Sequence, residues 1–194
     1  MDTINNIYDK NFKITADEYD IFKAFFKQSQ NSSEQQCSNA YLTRCVATVI
    51  GANGDHWRII GISKKALECL KENNFNKPKL SLQRGHLIPR SASISLLFRD
   101  RQDFVSKEDF ERIYSIYDLT ILMTNQENKS SNIIPDFYLF DEEGLGLFKN
   151  RFISFDYNDP EIAYMKSFYD KEKELFSLAD IYPRHLKTHI GLDS

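Results

Sequence analysis

The sequence predicts a single domain of the α/β (α+β) class, in which helices and strands are mixed along the chain. Apolar residues make up 41% of its 194 residues, including 15 Phe and 10 Tyr, which is enough for a packed core. Short β-rich runs alternate with segments that open on helix-capping patterns. No stretch approaches the roughly 20 apolar residues of a membrane span, and the N-terminus lacks a signal-peptide pattern. We therefore expect a soluble, cytoplasmic protein with no membrane partner.

Helices are predicted where a capping residue precedes apolar residues at helical spacing. Thr15 with Glu18 and Thr124 with Glu127 have the spacing of capping boxes, and Ser63 is a good N-cap. Residues 28–38 are polar and predict a loop. The predicted helices cover residues 16–27, 64–73, a segment that opens at Ser106 and runs to about 117, a segment from Asn125 to before Pro135, and 159–177.

Strands are predicted in short runs rich in β-branched and aromatic residues. Asn53–Gly54 separates the first two runs and is a strong signal for an N-terminal β-hairpin. The sequence DEEGLG at 141–146 predicts a turn between the last two. The predicted strands cover residues 41–50, 56–62, 79–84, 118–123, 136–140 and 147–156.

Basic residues are concentrated in one segment, although the net charge of the chain is −3. Residues 77–101 carry six basic side chains against one acidic one, a local charge of +5. Such a patch favours an anionic partner, because local charge steers binding more than net charge does. The alternative is a solvated surface with counter-charges elsewhere in the fold. The candidate binding residues are Lys77, Lys79, Arg99, Arg101 and, beyond the patch, Lys129.

The strongest chemical signal is SLQRGHLIPRS at residues 81–91, where His86 follows a predicted strand. Gly85 lets the backbone turn and Pro89 stiffens the exit, so the imidazole is presented toward water or phosphate. Histidine can take a proton near neutral pH. Arg84 and Arg90 flank it, where a guanidinium either clamps a phosphate or forms an ordinary ion pair. A surface or core histidine with no chemical role is the alternative.

A set of asparagines follows the apolar run at 118–123. Asn125, Asn128 and Asn132 recur at helical spacing and so share one face of the predicted helix. Amide oxygens are hard, neutral ligands that suit Mg²⁺. One such ion can stabilise the charge of a phosphodiester transition state while a histidine opposite activates water. The alternative is a polar helix face, the commoner use of Asn near helix ends.

A strand ending in Gly–His, a loop, a second strand and a helix follow one another in the order of a ββα-metal finger. HLIPRS at 86–91 and LTILMTNQENKSSNIIP at 119–135 together resemble the HNH endonucleases of the His-Me finger superfamily. The resemblance implies a ββα-metal core over about residues 79–135. Residues 1–78 and 136–194 would then be elaborations of the same single domain, for DNA recognition or dimerisation.

The resemblance implies a role for each matching residue. His86 would be the general base, Asn128 the metal ligand with Asn125 as its competitor, and Asp118 the residue that orients the histidine loop. The implied cofactor is Mg²⁺, with Mn²⁺ able to substitute. Zinc is not expected, since the three cysteines share no CxxC spacing.

Two features depart from the family pattern. Gly85 stands where an acidic or histidine ligand usually precedes the base, and Lys129 follows Asn128 directly, without the usual spacing. Arg84–Gly85–His86 is instead similar to the Asp–Arg–Gly–His motif of the non-specific DNA/RNA endonucleases in the same superfamily, with Gln83 in place of the Asp.

The expected function is hydrolysis of phosphodiester bonds in double-stranded DNA by a metal-dependent endonuclease. Residues 1–78 and the 91–117 insertion are long enough for target recognition. They favour a sequence-specific, restriction-type enzyme, acting as a homodimer to cut both strands. The alternatives are a non-specific, homing or phage nuclease, a toxin nuclease, and a catalytically degenerate DNA-binding or interaction module. His56, His185 and His189 are expected to be surface residues without a catalytic role.

Overall fold

Five strands form one mixed sheet, which confirms the predicted α/β class. The computed structural model describes residues 13–31, 44, 48–49, 58–75, 82–89, 106–129, 134–149 and 158–182. In chain order the strands are β1 (Ile59–Ser63), β2 (Leu82–His86), β3 (Thr120–Thr124), β4 (Phe137–Leu139) and β5 (Leu175–Phe176).

The sheet has the strand order β2-β3-β1-β4-β5. β1 and β3 are parallel, and the other neighbours are antiparallel. The β2–β3 pair of the predicted finger is therefore one side of a larger sheet, with β2 at its edge among the described strands. Residues outside the finger supply the other three strands.

Seven helices are described around this sheet. They are α1 (Ala16–Asn31), α2 (Lys64–Glu72), α3 (Lys107–Tyr117), α4 (Asn125–Lys129), α5 (Glu142–Leu147), α6 (Asp159–Asp170) and α7 (Leu178–Ile181). The predicted caps are confirmed for three of them. The Thr15 hydroxyl accepts from Glu18 N at 3.1 Å, Ser63 Oγ accepts from Ala66 N at 3.1 Å, and Thr124 Oγ1 accepts from Glu127 N at 3.2 Å.

Apolar side chains cover both faces of the sheet, and neighbouring residues of β3 accordingly belong to different core clusters. Ile121 and Met123 pack with Phe22, Phe110 and other buried residues of one cluster. Leu122 belongs to the other cluster, which includes Leu67 and Phe140. A strand buried on both faces reads as a continuous apolar run, which is why 118–123 was recognisable in the sequence.

Several predicted elements are wrong where the structure describes them. α1 extends to Asn31, past the loop predicted from residue 28. Arg44, Thr48 and Val49 are helical rather than part of a strand over 41–50, and Thr48 Oγ1 donates to Arg44 O at 2.7 Å, four residues back. β-Branched residues suggested a strand there, but propensity is a weak prior that tertiary context overrides.

Two C-terminal predictions also need correction. The predicted turn at 141–146 is helix α5, because Asp141 caps it by accepting from Gly144 N at 3.1 Å. α6 ends at Asp170, well before the predicted end at 177, and Lys173 Nζ donates to the Phe168 and Tyr169 carbonyls at 2.7 and 2.6 Å. A cation on the last carbonyls of a helix stabilises its end.

Other predictions lie outside the described residues. They include the Asn53–Gly54 turn and most of the strands over 41–50 and 147–156. The first residues of the predicted strands over 56–62 and 79–84 also lie outside the described residues, which contain β1 from Ile59 and β2 from Leu82. In the part of the chain that the structure describes, no helix has the length and apolar character needed to cross a membrane.

Candidate functional site

His86 is the last residue of β2 and is held there by backbone pairing. It lies opposite Thr120 of β3, and Leu87 N donates to Leu119 O at 3.0 Å just beyond the strand. Leu87 and Ile88 are 0% and 2% exposed, so the chain leaving the strand is anchored in the core. The sequence therefore fixes the His86 backbone at the edge of the sheet, with 19% of its side chain exposed.

Asp118 contacts the imidazole of His86 directly. Asp118 Oδ1 lies 3.2 Å from His86 Nε2, and only 2% of the Asp118 side chain is exposed. Asp118 lies between the end of α3 and the start of β3, where its backbone N–H donates to Tyr114 O at 3.0 Å. A buried carboxylate beside one ring nitrogen limits the orientations that the imidazole can take. The predicted orienting residue thus touches the histidine ring itself.

Asn128 lies over Gly85, the residue that precedes His86 in β2. Its Oδ1 is 3.0 Å from the position that a Cβ on Gly85 would occupy, and Met123 Sδ would touch that Cβ as well. On the other side, Asn128 Nδ2 donates to Gln83 Oε1 at 2.6 Å. A side chain at residue 85 would therefore have to displace the end of Met123 and press on the Asn128 amide oxygen.

Helix α4, which carries Asn128, has only five residues but is fixed at its start. Glu127 Oε2 accepts from Thr124 N and Oγ1 at 2.8 and 2.9 Å, completing the capping box, and also from Ser63 Oγ at 2.8 Å. Ser63 is at the same time the N-cap of α2. Lys65 Nζ adds a hydrogen bond to Gln126 Oε1 at 2.9 Å. These contacts tie α4 to the end of β1 and place Asn128 over β2.

Asn125 presents a second amide on α4. Its Oδ1 is buried and has no hydrogen-bond partner among the described residues. Asn125 and Asn128 are three residues apart and so lie on the same side of the helix. A buried amide oxygen without a partner and a second amide oxygen on the same side of the helix suit the needs of a hard divalent cation such as Mg²⁺. Within the described ranges, no group of three or more His, Cys, Asp or Glu side chains is placed to hold a metal ion.

His86 and Asn128 approach β2 from opposite sides. Successive side chains of a strand point to opposite faces, so the imidazole leaves the face away from Gly85 and Asn128. His86 and Gly85 are consecutive residues, so the imidazole and the Asn128 amide lie at neighbouring positions of β2 but on opposite faces of the strand.

The remaining predicted site residues divide into three groups. Arg84 is 6% exposed, so its guanidinium is buried and the predicted direct contact with phosphate does not fit its position. Lys129 is exposed at the end of α4, next to Asn128. The others lie outside the described residues: Lys77, Lys79, Arg90, Arg99, Arg101, Asn132, His56, His185 and His189.

The sequence analysis missed two residues that shape this site. Gln83 shares a strand face with Gly85, and that alternation was visible, but its hydrogen bond to Asn128 depends on α4 folding back over β2. Ser63 was recognised only as the cap of α2. Its second hydrogen bond, to Glu127, joins segments 64 positions apart in the chain.

No protein-family model matches the chain. Neither a curated protein nor a solved structure matches it.

Proposed function

We propose that the protein is a metal-dependent endonuclease that hydrolyses phosphodiester bonds in DNA. The observation that carries the proposal is the pairing of two groups on one strand edge: an Asp118-bound His86, and the Asn128 amide oxygen over the preceding residue. The resemblance of residues 86–135 to HNH endonucleases supports the same reading. The proposed cofactor is Mg²⁺, with Mn²⁺ as a substitute.

His86 acts as the general base in this proposal. Its imidazole takes a proton from a water molecule while the Asp118 carboxylate lies beside Nε2. The water oxygen forms a bond to phosphorus, one ester P–O bond breaks, and the leaving oxygen is protonated by solvent. In-line displacement requires the attacking and leaving oxygens on opposite sides of phosphorus.

Asn128 and Asn125 are the residues that would hold the metal. When bound, Mg²⁺ neutralises charge on the transferring phosphate and stabilises the leaving oxygen. Asn128 contributes through its fixed amide, whose oxygen is turned toward Gly85. Lys129 is exposed beside it and is proposed to contact a neighbouring phosphate, together with basic residues of segment 77–101.

Two variants of the nuclease are separated by how they cut. Restriction-type specificity rests on the length of the chain around the finger, and cutting both strands with one site per chain favours a homodimer. The packed Gly85 favours the second candidate, a non-specific nuclease. Arg84–Gly85–His86 resembles the Asp–Arg–Gly–His motif of those enzymes, in which glycine precedes the histidine. Discrete plasmid fragments select the first and a smear selects the second.

Plasmid cleavage tests the proposal. The protein is incubated with supercoiled plasmid and Mg²⁺, Mn²⁺ or EDTA, alongside His86→Ala and Asn128→Ala. Loss of a general base lowers the rate by about 10²–10⁴-fold, so His86→Ala should be nearly inactive, and Asn128→Ala should be inactive with an unchanged melting temperature. Gln126→Ala, on the exposed side of α4, is the control and keeps wild-type activity.

Two results would contradict the proposal. Wild-type protein that cleaves no plasmid with any of the divalent metals is not a nuclease, and DNA binding without cleavage would identify a degenerate binding module. If Asn125→Ala is inactive and Asn128→Ala is active, the metal ligand is assigned to the wrong residue of α4.

A further inference from the structure

Residues 83 and 85 of β2 share one face of the strand, and the amide of Asn128 spans them. Its nitrogen lies over residue 83, where Nδ2 donates to Gln83 Oε1 at 2.6 Å. Its oxygen lies over residue 85, 3.0 Å from the position of an added Cβ. One hydrogen bond at the nitrogen end thereby sets which way the oxygen end points.

The direction of this hydrogen bond decides whether Asn128 can bind a cation. An amide has a donating NH₂ group and an accepting oxygen. With Gln83 as the acceptor, Asn128 Oδ1 keeps its lone pairs for a metal ion. If both amides were turned over, Gln83 would donate to Asn128 Oδ1, and the Asn128 NH₂ group would take the place of the oxygen, so the amide would present donors instead of an acceptor to a cation.

Asn128 needs such a partner because it is exposed. An exposed side chain on a five-residue helix samples several rotamers, and ordering it costs conformational entropy when a ligand binds. A hydrogen bond made before the ligand arrives removes part of that cost. Residues that orient a metal ligand in this way raise metal affinity without touching the metal.

We propose that Gln83 is a positioning residue that orients the Asn128 amide for metal binding. This inference rests on the proposed function, since it concerns the same metal ligand. It assigns a role to the residue at which the chain departs from the Asp–Arg–Gly–His pattern. The role depends on Gln83 accepting a hydrogen bond, and a carboxylate can accept the same bond.

Direct measurement of Mn²⁺ binding tests the inference without relying on cleavage. Affinity is measured by electron paramagnetic resonance of free Mn²⁺ for the wild type, Gln83→Leu, Gln83→Glu and Asn128→Ala. Loss of a residue that orients a metal ligand costs about 10–100-fold in affinity, so Gln83→Leu should bind at least about tenfold more weakly. Gln83→Glu should bind at least as tightly as the wild type, because it accepts from Nδ2 and adds a negative charge.

Gln126→Leu is the matched control. Gln126 is also an exposed glutamine, but its oxygen accepts from Lys65 Nζ rather than from Asn128, so this variant should bind Mn²⁺ like the wild type. In the wild type, Mn²⁺ should also broaden the side-chain amide signals of Asn128 in a ¹⁵N-correlated NMR spectrum. Gln83→Leu should need a higher Mn²⁺ concentration for the same broadening.

The outcomes separate this inference from the proposed function. If the wild type binds Mn²⁺, Asn128→Ala does not, and Gln83→Leu binds normally, then only the positioning role is overturned. Equally weakened Mn²⁺ binding in Gln83→Glu and Gln83→Leu would overturn the proposed role of the hydrogen bond. If Gln83→Leu does not fold, Mn²⁺ binding by Gln83→Glu alone decides. A wild type that binds no Mn²⁺ overturns the metal site and this role together.

Discussion

Gly85 offers a sharp test of the site because no side chain fits there. A Cβ at this position would overlap Met123 Sδ and Cε and come within 3.0 Å of Asn128 Oδ1. Met123 is flexible but 2% exposed, so it can move only against a packed core. Gly85→Ala should therefore shift both Met123 and the Asn128 amide.

The expected cost follows from the packing. Forcing an extra carbon into a packed core costs about 1–3 kcal/mol, and for a chain of this length each kcal/mol lowers the melting temperature by about 2–4 °C. Gly146→Ala is the matched control, because nothing lies within 4 Å of a Cβ on this exposed residue of α5. Replacing such a helical glycine by alanine should stabilise the protein by about 0.5–1 kcal/mol.

Chemical denaturation measures both variants, and Mn²⁺ binding and plasmid cleavage are measured on the same samples. The two identical substitutions should change the free energy of unfolding in opposite directions. Only Gly85→Ala should weaken metal binding and cleavage, because only it displaces Asn128. A Gly85→Ala variant as stable and as active as the wild type would refute the close packing of Asn128 against β2.

Two further predictions concern contacts that hold the domain together. Ser63→Ala removes the α2 cap, worth about 1 kcal/mol, and a hydrogen bond to the Glu127 carboxylate, worth about 1.5–3 kcal/mol. The free energy of unfolding is measured by urea titration, and a loss below about 0.5 kcal/mol would contradict the shared cap. Burial acts to raise the pKa of Asp141, but hydrogen bonds from Lys171, Gly144 and Tyr164 outweigh it and lower that pKa. Because the folded-state pKa is depressed, the stabilisation is present above the unfolded-state pKa and is lost as pH falls through the folded-state value. Lys171→Ala should therefore be less stable than the wild type at pH 7 and lose that deficit in strong acid, and a deficit independent of pH would refute the charge-based explanation.

The elements recovered from the sequence are those whose signals are local. Ser63 and Thr124 cap helices through atoms three residues away, so their patterns needed no knowledge of the fold. The apolar run that became β3 was also recognisable, because both faces of the strand are buried. The failures depend on distant contacts or on weak local preferences, as with the helical Arg44 and Thr48 in a β-rich run.

The candidate site was predictable in its residue types but not in its contacts. The resemblance assigned His86, Asn128 and Asp118 as partners in one site. Motif spacing could not show that Asp118 touches the imidazole, since that depends on how α3 ends beside β3. It could not show either that Arg84 is buried, because a strand read from sequence does not reveal which of its faces a core covers.

Gly85 bears most directly on the alternative of a degenerate module. In the sequence it takes the place of a ligand that the resemblance would put before His86, the proposed general base, which is compatible with a site that has lost its function. In the structure the space beyond Gly85 is filled by the Asn128 amide and by Met123. An acidic side chain there would have to displace Met123 and press on the Asn128 amide oxygen, so glycine suits the packing of α4 against β2. Packing therefore explains the glycine, which does not by itself favour a degenerate module.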